Sequence, residues 1–275
     1  MLEKLKQTSE FIRKETNDFQ PEIGIILGSG LGNLADDIEP KYTLKYADIP
    51  NFPVSTVKGH KGSLLFGTLN GKKVVAMQGR FHHYEGYSLK EVTFPVVVMK
   101  QIGVKLLVVS NASGGLNPSY KVGDVVIIKD HINLFCDNPL MGPNIDELGP
   151  RFPSMHEAYD KKLIVLAEEI AKTAGFRYQK GVYVGTPGPT FETGAECEYM
   201  MRIGGDIVGM STVPEVIISN YLGMKTFGIS VVSDMGVHTH AEGHVEEITH
   251  EEVLAAVEKA TPNIMKMVKE LIAVV

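Results

Sequence analysis

The chain has no tryptophan and only two cysteines, Cys136 and Cys197, among 275 residues. Thiols so far apart form no recurring pattern. That excludes a disulfide scaffold and a cysteine-rich zinc site, and it fits a reducing compartment. Both are read as buried structural thiols. No stretch reaches about 18 consecutive apolar residues, so no membrane span is expected. The opening MLEKLKQTSEFIRKE is charged and lacks the apolar core of a signal peptide. The cytoplasm is the expected location. Basic residues are also in short supply, with 27 Lys and Arg against 33 Asp and Glu, a net charge of −6. That excludes a broad basic face for nucleic acid. It does not exclude small anions, because a site can be locally positive on an acidic protein.

What is present is a globular composition, 44% hydrophobic and 22% charged, unlike that of a disordered chain. No internal repeat, low-complexity tract or linker interrupts it, so residues 1–275 read as one domain. The spacing of Leu2, Leu5 and Ile12 predicts a surface helix over 2–15. The apolar run 23–27 reads as a buried strand entering a glycine loop. Two runs around Asn70-Gly71 predict a hairpin over 63–78. A helix is expected over 89–102, stopped by Gly103 and blemished by Pro95. Further strands are expected at 104–109, at 125–128 and at 226–232. Another helix is expected over 156–174 with Gly175 as its stop. Thr249 and Glu252 suggest a capping box on a C-terminal helix that Pro262 interrupts or splits. Alternating strands and helices with one hairpin predict an α/β fold, a central mixed sheet flanked by helices. Ligands of such sheets bind beyond the carboxyl ends of strands.

Five strand exits carry chemistry. Gly28-Ser29-Gly30-Leu31-Gly32 offers backbone N–H groups to an anion, or is a structural tight turn. It matches neither the dinucleotide fingerprint nor the Walker pattern. In QGRFHHYEG (78–86), Arg80 is a fixed cation suited to phosphate. His82 and Tyr84 fall on the same face if the segment is extended. The alternative is a solvated polar loop. SNASGG (110–115) gives small polar residues and close backbone approach. GTPGPTFET (185–193) presents Phe191 and Glu192, one ring for stacking and one carboxylate for ring N–H groups. VGMSTVPE (208–215) is a small turn with a further hydroxyl. No nucleophile–base signature stands out. His238, His240, His244 and His250 cluster in an acidic, glycine-containing segment without HExxH. A mobile lid with one substrate-touching histidine is favoured over a metal site.

Together these loops closely resemble the trimeric purine nucleoside phosphorylases. The matching motifs are GSGLG (28–32), IPNFPVSTVKGHKG (49–62), QGRFHHYEGY (78–87), NASGGLNP (111–118), DHINL (130–134), GPTFET (188–193), VGMSTVPEV (208–216) and HEEVLAA (250–256). The resemblance spans essentially the whole chain. It implies a single α/β domain assembled as a homotrimer, with inorganic phosphate as co-substrate and neither cofactor nor metal. The implied reaction is reversible phosphorolysis of purine ribonucleosides and deoxyribonucleosides to free purine and (deoxy)ribose 1-phosphate. By resemblance, Ser29, His60, Arg80, His82, Asn111, Ala112 and Ser211 form the phosphate set. Of these, Asn111 contributes little directly, with the Ala112 backbone N–H as donor. Tyr84, Met210 and His250 are the ribose contacts. Ala112, Ser113, Gly114, Phe191, Glu192, Val208, Gly209, Ser233 and Asp234 surround the purine. His82, Glu192 and Asp234 are the implied catalytic group. Phe135 lies where a neighbouring subunit's phenylalanine often closes the pocket in relatives; the alternative is a core residue, since the loop INLFCDNPL is shorter than in mammalian relatives.

One departure bears on specificity. Members acting on inosine and guanosine usually carry asparagine where this chain has Asp234. A carboxylate accepts from a six-amino group and repels a six-oxo oxygen unless it is protonated. Adenosine is therefore an expected additional substrate. A methylthioadenosine- or adenosine-preferring enzyme is the alternative, since those relatives also place aspartate here, although they lack the Glu192-type residue. Two further readings are a nucleoside hydrolase, which needs no phosphate, and a non-catalytic nucleotide- or phosphate-binding module.

Overall fold

The computed structural model describes residues 1–28, 32–54, 61–236 and 250–275. Helix α1, Leu2–Glu15, buries Leu5, Thr8, Ser9 and Ile12, one stripe at helical spacing. Strand β1, Ile23–Leu27, is buried at every position. It lies parallel to β4, Lys72–Gln78, on one side and to β5, Leu106–Gly115, on the other. That explains its unbroken apolar run, because helices cover both faces of a parallel strand. β2, Glu39–Lys45, and β3, Ser63–Leu69, continue the sheet antiparallel to one side. The β3–β4 hairpin turns at Asn70 and Gly71, both at positive φ, as the sequence predicts.

On the other side the sheet closes. β6, Val125–Asn133, β7, Tyr178–Gly185, β8, Ile207–Gly209, and β9, Lys225–Met235, follow β5 in the order β5-β8-β7-β6-β9. β9 then pairs back onto β5, so five strands form a ring. Helices α2, Leu89–Gln101, α3, Lys161–Ala174, α4, Gly194–Arg202, α5, Val213–Tyr221, and α6, His250–Val274, cover the sheet. The α/β fold with a mixed, helix-flanked sheet is as expected; the ring closure is not legible in periodicity. Among the described residues no helix is long and apolar enough to cross a membrane.

Several expectations need correction. Strands β5 and β6 run several residues beyond their apolar cores: in β5 polar residues such as Asn111 and Ser113 are buried and paired, and in β6 Asp130 to Asn133 stay in register with Val182 to Gly185 of β7. Helix α3 begins at Lys161 rather than 156. Asp160 caps it by accepting from the backbone N–H groups of Lys162 and Leu163. Tyr159 before it belongs to the core, 2% exposed, with its ring beside Gly228. Pro262 does not break α6; buried Val257, Ile264, Met267, Val268 and Leu271 hold the helix together around it. The capping box at Thr249 lies outside the described residues. Cys197 is buried as expected, but Cys136 is exposed, on a residue at positive φ. β7 and β8 end at the strand exits expected at 185 and 208, although their extents are not read from the sequence, and β2, α4 and α5 carry no sequence expectation. β2 is polar and mostly exposed, an edge strand with a proline and a bulge.

The Asp160 cap is a clean test of local stability. Asp160→Ala is expected to lower unfolding free energy by about 1 kcal/mol, read from denaturant titration. An unchanged midpoint would remove that role.

Candidate active site

The ends of β4, β5, β8 and β9 converge on one cavity of about 320 Å³. A larger groove of about 610 Å³ lies between α2 and the 139–148 loop. Its lining is mainly apolar and brings together no comparable set of arginine, histidine and paired carboxylates. The smaller cavity is therefore the chemical site.

One end of it is positive. Arg80 follows β4 through Gly79 and is 1% exposed. Its Nε–H and an Nη2–H donate to the two Glu215 oxygens at 3.1 and 2.7 Å, and an Nη1–H donates to the Ser110 carbonyl at 2.7 Å. Gly28 makes this possible. A Cβ there would stand 2.5 Å from the Ser110 oxygen and 3.0 Å from Arg80 Nη1. His82 is extended and buried, and its Nδ1 lies 3.2 Å from Glu85 Oε1. A carboxylate only accepts, so Nδ1 carries the proton. Burial pushes the His82 pKa down, against the raising contact with Glu85. Tyr84 stacks on His82, with centroids 4.6 Å apart and planes at 17°. It reaches that face through a 3₁₀ turn, His83–Glu85, rather than along an extended chain. Burial drives its phenol to about 12, so it stays neutral and can donate.

The floor is held by a polar network. The Asn111 amide donates to Thr212 Oγ1 at 2.8 Å, and its carbonyl accepts from Ser230 Oγ at 2.6 Å. Ser230 in turn lies 2.7 Å from Ser113 Oγ. Thr212 sits at φ 70°, ψ −54°, and the Val213 N–H donates across it to the Ser211 carbonyl at 2.7 Å. This is a γ-turn at a β-branched residue, a strained conformation. It carries Ser211 to the cavity wall, where the Oη of the fully buried Tyr183, from β7, accepts from the Ser211 N–H.

The opposite end is acidic and aromatic. Phe191 is half exposed. Glu192 accepts from Thr186 Oγ1 at 3.0 Å. Burial pushes the Glu192 carboxyl above the usual range, the Thr186 bond opposes this, and the charge of Asp234 adds to the rise. Asp234 is delivered by a bulge. β5 and β9 run in register up to Ser113↔Val232, and then Gly114 faces Asp234, leaving Ser233 as the extra residue. Bulges re-aim side chains in this way. Ser233 Oγ bridges the Ser113 carbonyl and Asp234 Oδ1 at 3.1 and 2.6 Å.

The chain matches the Phosphorylase superfamily over residues 22–273. It is 51% identical to purine nucleoside phosphorylase 1 of Bacillus subtilis over 274 residues, which is 99% of each chain. It is 46% identical to the purine nucleoside phosphorylase of Rattus norvegicus, covering 98% of this chain and 94% of that one. The crystal structure of the Schistosoma mansoni purine nucleoside phosphorylase in complex with adenosine superposes with a TM-score of 0.92 at 46% identity, over 98% and 96% of the two chains. The chain belongs to the purine nucleoside phosphorylases. It is therefore an enzyme of the phosphorylase superfamily.

For a purine nucleoside phosphorylase the expected residues are well assembled. Arg80, His82, Tyr84, Asn111, Ala112, Ser113, Gly114, Phe191, Glu192, Val208, Gly209, Met210, Ser211, Ser233 and Asp234 all line the one cavity. Ser29, His60, His238, His240, His244 and the His250 side chain lie outside the described residues. For Phe135 the structure selects the core alternative over the intersubunit one. The residue is 4% exposed in this chain's own core, edge-on to His83 and filling the space beside Gly185, so it is not presented to a neighbouring subunit. Glu215, Tyr183 and Thr212 support the site without having been singled out for it. A proline-glutamate pair after the small turn, at the start of α5, is the sequence signal that could have found Glu215.

The raised Glu192 pKa has a measurable consequence. At about pH 4 and below, folded and unfolded chains both hold the proton. As pH rises through the raised folded value, ionisation penalises only the folded chain. Glu192→Gln removes that penalty while still accepting from Thr186. Its melting temperature relative to wild type is expected to climb from acid to neutral pH. A difference that is flat, or that shrinks toward neutrality, contradicts the burial of this carboxyl.

Proposed function

We propose that the chain catalyses reversible phosphorolysis of purine ribonucleosides and deoxyribonucleosides, giving free purine and (deoxy)ribose 1-phosphate. The carrying observation is the polarity of one cavity. Its Arg80 and His82 end is suited to phosphate, and its Phe191, Glu192 and Asp234 end to a purine. Phosphate binds Arg80, the Ser211 hydroxyl and the Ala112 N–H. A neutral His82, protonated on Nδ1, offers Nε2 to a phosphate hydroxyl. Asn111 acts through Thr212 rather than on the anion itself. Tyr84 and Met210 flank the ribose between the two ends.

No covalent intermediate is needed. The glycosidic bond stretches toward an oxocarbenium ion and a purine anion, and phosphate beneath C1′ stabilises the cation and captures it with inversion. Holding both reactants in one cavity contributes up to about 7–11 kcal/mol in ideal cases. The remaining task is the negative charge on the departing base. Glu192 and Asp234 face it as a pair, and neighbouring carboxylates tend to share one proton. The shared proton supplies a donor for the purine ring, and the ionised partner accepts from ring N–H or a six-amino group. This supports a broadened base range that includes adenosine beside inosine and guanosine. Solved structures of the Schistosoma mansoni enzyme hold adenosine or inosine. A methylthioadenosine-preferring enzyme is not favoured, since the chain keeps Glu192 and its curated relatives are named purine nucleoside phosphorylases.

The working form in this reading is a cytoplasmic homotrimer of one domain per chain, with phosphate as co-substrate and no cofactor, metal, nucleic-acid or membrane partner. Phe152, 87% exposed, is the most exposed aromatic among the described residues and is offered to a neighbouring subunit in this reading.

Two assays test the reading. Base release from inosine and adenosine is expected only when phosphate is added; equal release without it would indicate a hydrolase, and none at all a binding module. Asp234→Asn is expected to raise the inosine-to-adenosine ratio of kcat/KM by about tenfold, one hydrogen bond's worth. An unchanged ratio would take specificity away from Asp234.

A further inference from the structure

Glu215 lies on the first turn of α5, 135 residues from Arg80, and is 3% exposed. Both its oxygens are engaged by Arg80, through Nε and Nη2. A two-point grip fixes the plane of the guanidinium as well as its position. The Ser110 carbonyl then fixes one Nη1–H. Of the five N–H bonds a guanidinium carries, two remain without a protein acceptor among the described residues, one on each Nη nitrogen. Arg80 lines the cavity. The uncommitted pair is the number a bidentate contact with a tetrahedral anion requires.

A purely structural role accounts for this poorly. A buried ion pair adds little stability over apolar side chains of the same volume. Apolar packing between α5 and the end of β4 would join them as well. What an apolar pair cannot do is hold a cation at a cavity wall with two donors uncommitted.

We propose that Glu215 is a positioning residue for the phosphate step, setting the orientation of the Arg80 guanidinium and thereby the capture of phosphate. This rests on the reading of Arg80 as the phosphate cation. Glu215 touches no substrate, so its signature is selective. Loss of the grip disturbs the phosphate end of the cavity and leaves the purine end, formed by Phe191, Glu192 and Asp234, as it was.

The test is steady-state kinetics with both substrates varied, on Glu215→Asp, Glu215→Gln and Arg80→Gln, each checked by thermal melting. Glu215→Asp keeps the charge but withdraws the carboxylate by one methylene. It is expected to raise the phosphate KM severalfold. Glu215→Gln, which replaces one acceptor with a donor facing Arg80, is expected to raise it about tenfold or more. In both, the nucleoside KM stays within about twofold of wild type. If Glu215→Gln does not fold, Glu215→Asp decides alone. A phosphate KM unchanged in the folded variants, or a proportional change in both KM values, overturns the proposal. Arg80→Gln separates the two levels. If it leaves the phosphate KM unchanged, the phosphate site itself is misassigned; if it raises that KM while the Glu215 variants do not, only the positioning role fails.

Discussion

The parallel pairing of β5 with β9 governs everything built on this sheet. It runs from Leu106↔Lys225 to Gly115↔Met235 and closes five strands into a ring. A ring brings strands distant in sequence to one mouth, so β8 and β9 end beside β5, and β4 one strand further. The same ladder contains its own exception. Past Ser113↔Val232 the extra residue Ser233 lets the pairing resume at Gly114↔Asp234. Without that slip Ser233 rather than Asp234 would face Gly114, and side chains on β9 would alternate to the wrong face. Gly114 accommodates the arrangement, since a Cβ there would sit 3.2 Å from Asp234 Oδ2.

Local order of this kind is only partly written in composition and spacing. The buried strand β1, the Asn70-Gly71 turn and helices α1 and α2 are legible because burial and turn chemistry act within a few residues. The motifs at the strand exits also name residues that lie far apart in sequence, and one cavity gathers those that are described. What stays hidden depends on partners far away in sequence. The tail of β5 reads as a loop because Asn111, Ser113 and Gly114 look like loop residues. They are strand residues because Ser230, Thr212 and β9 supply their hydrogen bonds. Phe135 shows the same limit from the other direction. Its position suggests an intersubunit contact, yet the space beside Gly185 in its own chain claims it.

The acidic composition and the anion-binding reading are reconciled by burial. A net charge of −6 repels phosphate at long range, but screening in salt limits that effect to about a Debye length. Within the cavity the nearest charges dominate. Arg80 is almost wholly enclosed, and Glu215 offsets its cost of burial through Nε and Nη2 while two N–H bonds stay uncommitted among the described residues. An unpaired arginine at this depth would be expensive to bury and would hold a phosphate product tightly. Pairing reduces both effects, which suits a site that must release ribose 1-phosphate as readily as it binds phosphate.

The two ends of the cavity therefore solve opposite electrostatic problems with carboxylates. At the phosphate end, both Glu215 oxygens grip a fixed cation, and in the proposed reading Glu215 acts through geometry. At the purine end, Glu192 is pushed toward its protonated form by burial and by the charge of Asp234. A proton held there is one that a departing base can share, and that purine anion is where negative charge must be absorbed. The strained Thr212 turn and the Ser233 bulge stand at these two ends. In the proposed reading, one delivers a hydroxyl to the anion and the other a carboxylate to the base. Irregular backbone is thus concentrated where the chemistry needs side chains that a regular strand would aim elsewhere.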